Sequence, residues 1–281
     1  MAAVTLHPHG GGVPQAPPAR VPTLVQVALF FGITFALTWA AFLPLVLRVL
    51  SPQEGWGALL QALGIFAPTG TAFVLTALAA GRHGVRRLWW QGLRWRVGAG
   101  WYAFVLLGPG LAVGAALAVT AALGDQAPAV RLSVDAAVAA VVSGLLAGTF
   151  EEFGWSGFAF PTLQARSGFV RAGVAMGVAV ALWHLPFFFA PGTTQSSSSF
   201  VFFLLQLLPA RLLFGWIYNG TGGSVLLTIL FHGSWNAWGE LLGPGPMVAD
   251  PYGLTQTALL LAAAVAVLLM ARWAVPRPRA A

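Results

Sequence analysis

The sequence has no cysteine, no lysine and only seven acidic residues in 281 positions. Without cysteine it can form no disulfide, no thiolate nucleophile and no cysteine-ligated metal site. Charged residues are 7% of the chain, against about 25% in a soluble domain. Hydrophobic residues make up 58%, and several apolar runs exceed the ~18 residues that read as a membrane span. The bilayer is therefore the solvent, and an all-buried soluble helical protein is set aside. All 14 basic residues are arginine, giving a formal charge of +7. They sit at the ends of apolar segments, so anionic headgroups rather than nucleic acid are the expected partner. The missing lysine, beside abundant Ala, Gly, Pro and Arg, points to a GC-rich bacterial genome and hence to the plasma membrane.

What is present is a succession of apolar segments, at about 23–47, 57–80, 98–122, 134–152, 171–190, 200–217, 223–242 and 254–274. The expected fold is an all-α, polytopic bundle of about eight transmembrane helices. The fourth helix should continue to about residue 165. Residues 1–22, rich in Pro, Gly and His with no apolar h-region, read as a disordered tail rather than a signal peptide. His7 and His9 there read as solvated. The chain divides into that tail, N-terminal spans over 23–133, a core over 134–242, and a last span with a basic tail over 243–281. Pro44, Pro68, Pro109, Pro186 and Pro209 fall in or near spans, where neighbouring helices can re-satisfy the freed backbone groups.

Arginine placement sets the expected orientation. Arg82, Arg86, Arg87, Arg94 and Arg96 follow segment 2, and Arg166 and Arg171 follow segment 4. Arg20 lies in the N-terminal tail, and Arg272, Arg277 and Arg279 lie at the C-terminus. The other side has only Arg48 and Arg131. With eight spans both termini are then cytoplasmic. Trp89, Trp90, Trp95 and Trp101 flank the most basic loop, as interfacial aromatics should. No internal repeat of the transporter kind is apparent.

A chain with so few charges places some of them at membrane depth, where an Asp, Lys or Arg costs about 2.5–3.5 kcal/mol. Glu54, Asp125, Asp135 and Asp250 fall in or near loops, and Glu240 near the outer end of segment 7. Glu151 and Glu152 sit at the cytoplasmic end of segment 4, and His184 and His232 lie within spans. Adjacent residues on a helix diverge by about 100°, so the two glutamates should not face one site equally. The Glu151 face carries Gly144 and Gly148, which permit close helix approach. The Glu152 face carries Ser156 one turn on, and His232 and Asn236 share a face four residues apart. Segments 4 and 7 run in opposite directions, so Glu151 and His232 can meet at similar depth. Each group alone is compatible with a satisfied helix–helix contact. Two Glu, two His and one Asn together point to a functional site.

Three motifs carry a resemblance. Glu-Glu-Phe-Gly-Trp-Ser-Gly at 151–157 with Phe-Pro-Thr-Leu-Gln after it, Ala-Leu-Trp-His-Leu-Pro at 181–186 and Phe-His-Gly-Ser-Trp-Asn at 231–236 resemble the motifs of the CAAX protease and bacteriocin-processing (CPBP) family. This family comprises intramembrane glutamate endopeptidases, among them the Ras-converting enzymes. Arg211 and the stretch 216–224 also resemble family sequences, so the resemblance covers about 134–242. It implies Glu151 as the base that activates water, assisted by His184. His232 and Asn236 would donate to the oxyanion, and Glu152 would support the site. It implies a membrane-embedded or lipid-tethered peptide or protein substrate and no cofactor.

The sequence departs from the family pattern at Ser156, where the first motif has arginine, and at Val180, where phenylalanine is common. The first leaves Glu152 without an i, i+4 cation. Arg211 or Arg166 could replace it, the site could work with altered protonation, or the protein could be a non-catalytic membrane immunity factor of the same family. A zinc-dependent peptidase using the same carboxylates and imidazoles is a further possibility, and a proton-coupled transporter another.

Overall fold

The computed structural model describes residues 24–125, 130, 133–243 and 247–274. The tail at 1–22, Arg20, Arg131, Arg277 and Arg279 lie outside the described residues, as does the side chain of Arg272. The described residues form eight α-helices and no strand: α1 Leu24–Val46, α2 Gly55–Gly92, α3 Ala99–Ala122, α4 Val134–Gly154, α5 Phe160–Trp183, α6 Phe200–Gly220, α7 Val225–Leu242 and α8 Pro251–Ala274. The protein is thus an all-α, multi-pass membrane protein, and each expected apolar segment has its helix.

Among the described residues, six helical stretches are long and apolar enough to cross a membrane. One is continuous from Val134 to Trp183, joining α4 and α5 through a π-helical turn, Trp155–Ala159. The helix after the fourth segment extends past residue 165 as expected, and breaks at Gly168 (φ 78°, ψ 171°). Glycine reaches that left-handed φ without a Cβ penalty. α2 runs past its expected end at residue 80 but bends at Gly81 for the same reason (φ 58°). α7, which carries His232, Asn236 and Glu240, falls outside the six.

Serine hydroxyls start three of the helices. Ser133 accepts from Ala136 N, Ser199 from Phe202 N and Ser224 from Leu227 N, satisfying donors that have no partner within the helix. α5 stops at Trp183 because Pro186 follows and cannot donate to the ladder.

The site is framed by the antiparallel packing of α4 on α7. A Cβ on Gly144 would meet Gly233 O at 2.4 Å, and one on Gly148 would meet Ile229 O at 2.7 Å. Farther along, Ala140 packs with Ala237 and Leu241. Small residues thus bring the backbones together, as expected from the Gly144/Gly148 face. On the other side of α4, Thr69 of α2 donates to Thr149 O at 3.0 Å. An apolar core built on Phe30, Phe42, Trp155, Met176 and Trp183 ties α1, α5 and the π turn together.

Candidate active site

Glu151 and Glu152 both end up buried, 4% and 0% exposed, at the end of α4 facing α6 and α7. The expected divergence does not keep them apart. His232 of α7 lies between them, its Nδ1 2.9 Å from Glu152 Oε1 and its Nε2 3.9 Å from Glu151 Oε1. An imidazole has nitrogens on two sides of one ring, so it can face both carboxylates at once.

Glu152 is the more heavily bonded of the two. Arg211 Nη1, from α6, donates to both of its oxygens at 3.0 and 3.2 Å. Ser156 Oγ donates to Oε2 from one turn further along the chain. Two side-chain donors, one of them a guanidinium, match the acceptor-only chemistry of an ionised carboxylate. His232 Nδ1 therefore carries a proton and presents Nε2 toward Glu151. Arg211 is 4% exposed and sits over the Phe214 ring at 4.5 Å. Arg166 is exposed and takes no part. Of the two arginines that sequence offers as replacements at Glu152, Arg211 makes the contact.

Glu151 has looser surroundings. Trp155 Nε1 donates to its Oε2 at 3.2 Å. The indole is fully buried and packs edge-on against Phe30 and Trp183 at 5.4 and 5.5 Å, which fixes the donor. Trp155 opens the π turn, and its N–H bonds back to the carbonyls of both glutamates. Single π turns recur at functional sites. This one gives Trp155 and Ser156, on successive residues, a carboxylate each.

His184 follows the last residue of α5. Its Nδ1 lies 2.8 Å from Val180 O. A carbonyl can only accept, so Nδ1–H donates and the neutral ring keeps a free lone pair on Nε2. The ring is walled by Trp183, Phe187 and Phe203 at 4.5–5.1 Å. Asn236 lies one turn beyond His232 on α7 and is exposed. Among the described residues no hydrogen bond or ion pair joins His184 or Asn236 to either glutamate. The structure thus brings Glu151, Glu152 and His232 into one network and leaves His184 and Asn236 outside it.

Two participants were not legible as such. Trp155 could have been found from its i, i+4 spacing to Glu151. The π turn has no sequence signal that we recognise.

Residues 133–238 match the family described as Type II CAAX prenyl endopeptidase Rce1-like. Over 131 residues the chain is 33% identical to a protein of Methanococcus maripaludis named CAAX prenyl protease 2. That stretch covers 44% of this chain and 47% of the relative, so the chain spans about half the length of the curated relative it matches.

Proposed function

We propose that this chain is an intramembrane endopeptidase of the CPBP, Rce1-like kind, on the similarity of residues 133–238 to that family and of a 131-residue stretch to a CAAX prenyl protease 2. The single observation that carries the reading is the imidazole of His232 set between two buried carboxylates. With Arg211 balancing Glu152, charge neutrality leaves one proton to be shared by Glu151 and His232. In one arrangement Glu151 is a carboxylate beside a cationic His232, and in the other both are neutral.

The first arrangement is ready for hydrolysis. Glu151 takes a proton from water, assisted by the free Nε2 of His184. The water oxygen bonds to the substrate carbonyl carbon, and the carbonyl electrons move onto oxygen. His232 Nε2–H and the Asn236 amide donate to that oxyanion, a contribution of several kcal/mol in a water-poor site. Collapse of the intermediate breaks the C–N bond, and the proton on Glu151 passes to the leaving amine. Glu152, held by Arg211 and Ser156, orients the His232 ring.

The substrate of this reading is a hydrophobic or lipid-tethered peptide entering from the cytoplasmic side, with both termini of the enzyme on that side. A bacteriocin leader suits a bacterial plasma membrane better than a prenylated CAAX tail. The donor set supports a metal-independent mechanism. Both oxygens of Glu152 are already occupied by Arg211 and Ser156. Ser156 is the feature that favours a non-catalytic immunity factor, and the Arg211 contact weakens that argument by restoring a cation to Glu152.

The test is Glu151→Gln in reconstituted protein with a library of membrane-tethered peptides. Cleavage by the wild type and its loss in the variant are expected. Unchanged cleavage would eliminate the base, and a silent wild type would favour the non-enzymatic reading.

A further inference from the structure

Helix α2 is 38 residues long, about 57 Å if straight at ~1.5 Å per residue, while the hydrocarbon core is only about 30 Å thick. The bend at Gly81 resolves the excess. Residues before it can span, and 82–92 can turn aside at the interface. This second arm buries Gly84 and Leu88 and exposes Arg82, Arg86, Arg87, Trp89 and Trp90.

At the elbow lies a concavity of about 520 Å³ lined by Ala77, Gly81, Arg82, Val85, Arg86 and Trp89. Its size falls in the range of small-molecule sites. Arg82 and Arg86, one turn apart, are among its lining residues, and the lining as a whole is mainly apolar. Among the described residues the ion pairs involve only Arg211, His232, Glu151 and Glu152, so no acidic side chain neutralises Arg82 or Arg86. A fitting ligand has an anionic head and an apolar tail, and the arm's exposed tryptophans put the groove at headgroup level.

We propose that the Gly81 elbow is a binding site for one anionic phospholipid. Its phosphate bridges Arg82 and Arg86, in the forked geometry that guanidinium groups favour, and an acyl chain lies along Ala77, Val85 and Trp89. Inorganic phosphate would satisfy only the arginines and leave the apolar lining uncovered. The occupied groove also steadies the candidate active site. Trp89 stacks on Phe153 with the rings 6.1 Å apart and 4° from parallel. Phe153 directly follows Glu152. Gly92, on the same arm, is so close that a Cβ would meet the Phe153 ring at 2.3 Å.

Native mass spectrometry of the full chain, released from mixed phosphatidylglycerol and phosphatidylcholine micelles, tests the site. One phosphatidylglycerol should be retained in preference to phosphatidylcholine. Retention should fall at least tenfold in Arg82→Gln/Arg86→Gln, while Arg87→Gln, outside the lining, keeps it. Equal retention of both lipids, or retention unaffected by the double change, overturns the proposal. So does displacement of the lipid by millimolar inorganic phosphate or by an acidic peptide. Because the readout is binding, its failure leaves the peptidase reading untouched. The coupling has its own readout. Peptide cleavage in vesicles should rise several-fold with phosphatidylglycerol in the wild type and stay flat in the double variant, and a flat wild type refutes the coupling alone.

Discussion

Arg211 reaches from α6 to Glu152 on α4, one nitrogen contacting both carboxylate oxygens at 3.0 and 3.2 Å. Ser156 bonds the same carboxylate from the π turn. Two positions on different helices therefore converge on one buried charge. Arg211 and Ser156 also line the same small cavity, and Arg211 Nε is buried there without a partner.

The first prediction concerns this convergence. Arg211→Leu removes the guanidinium from the buried Glu152 and leaves it only Ser156 and His232, and breaking a buried ion pair costs about 3–5 kcal/mol. Adding Ser156→Arg to that variant supplies a cation from the other side and should recover most of the lost stability, together with cleavage. Thermal unfolding in detergent and peptide hydrolysis would be measured on the single and double variants. A double variant no better than Arg211→Leu would show that the two positions are not exchangeable.

The helices are legible in the sequence because apolar runs are long and charges rare. Glu151, Glu152 and His232 stand out there because an ionisable group at membrane depth is conspicuous against such a background. That both glutamates face one imidazole is not legible, since it depends on how α4 and α7 are rotated about their axes. Ser156 was legible as a gap in a motif. That Arg211 closes the gap, from 59 residues away, depends on packing between α4 and α6 that no local pattern records. The extra arm of α2 was hidden because its arginines look like an ordinary loop until Gly81 is seen to bend a continuing helix.

The second prediction tests the close approach of α4 and α7. Gly148→Val places branched carbon against Ile229 O and the His232 Cβ, which already lie 2.7 and 3.3 Å from a single added Cβ. Overpacking of this kind costs about 1–3 kcal/mol, and the displaced α7 would carry His232 away from Glu151. Gly114→Ala in α3 is the matched control, because nothing lies within 4 Å of its added Cβ. It should be neutral or stabilising by up to about 1 kcal/mol through helix propensity. Equal effects at the two glycines would contradict the packing argument.

The third prediction separates the metal-independent and zinc readings. Zinc requires deprotonated, unoccupied ligand atoms, whereas Glu152 is bonded to a cation and a hydroxyl. Cleavage should survive exhaustive chelation, and added zinc should not stimulate it. Loss on chelation with recovery on adding zinc would reverse the assignment and make the present contacts those of a resting state.

The last prediction uses the two nitrogens of His184. Nδ1–H is tied to Val180 O, so only Nε2 is free to take a proton. Asparagine places an amide N–H near Nδ1 and nothing at Nε2, while glutamine reaches the Nε2 position and gives up the Nδ1 contact. If Nε2 is the working atom, His184→Asn should unfold within about 1 kcal/mol of the wild type, since one hydrogen bond of that size is retained. Its kcat should nevertheless fall by about 10²-fold, the lower end of what a positioned proton-transfer group contributes, because Glu151 loses the assistance of Nε2. His184→Gln should lose about the energy of that hydrogen bond in stability, and it too should be slow, because an amide cannot accept the proton. An Asn variant that cleaves at the wild-type rate would remove His184 from the chemistry and leave Glu151 and His232 to move the proton by themselves.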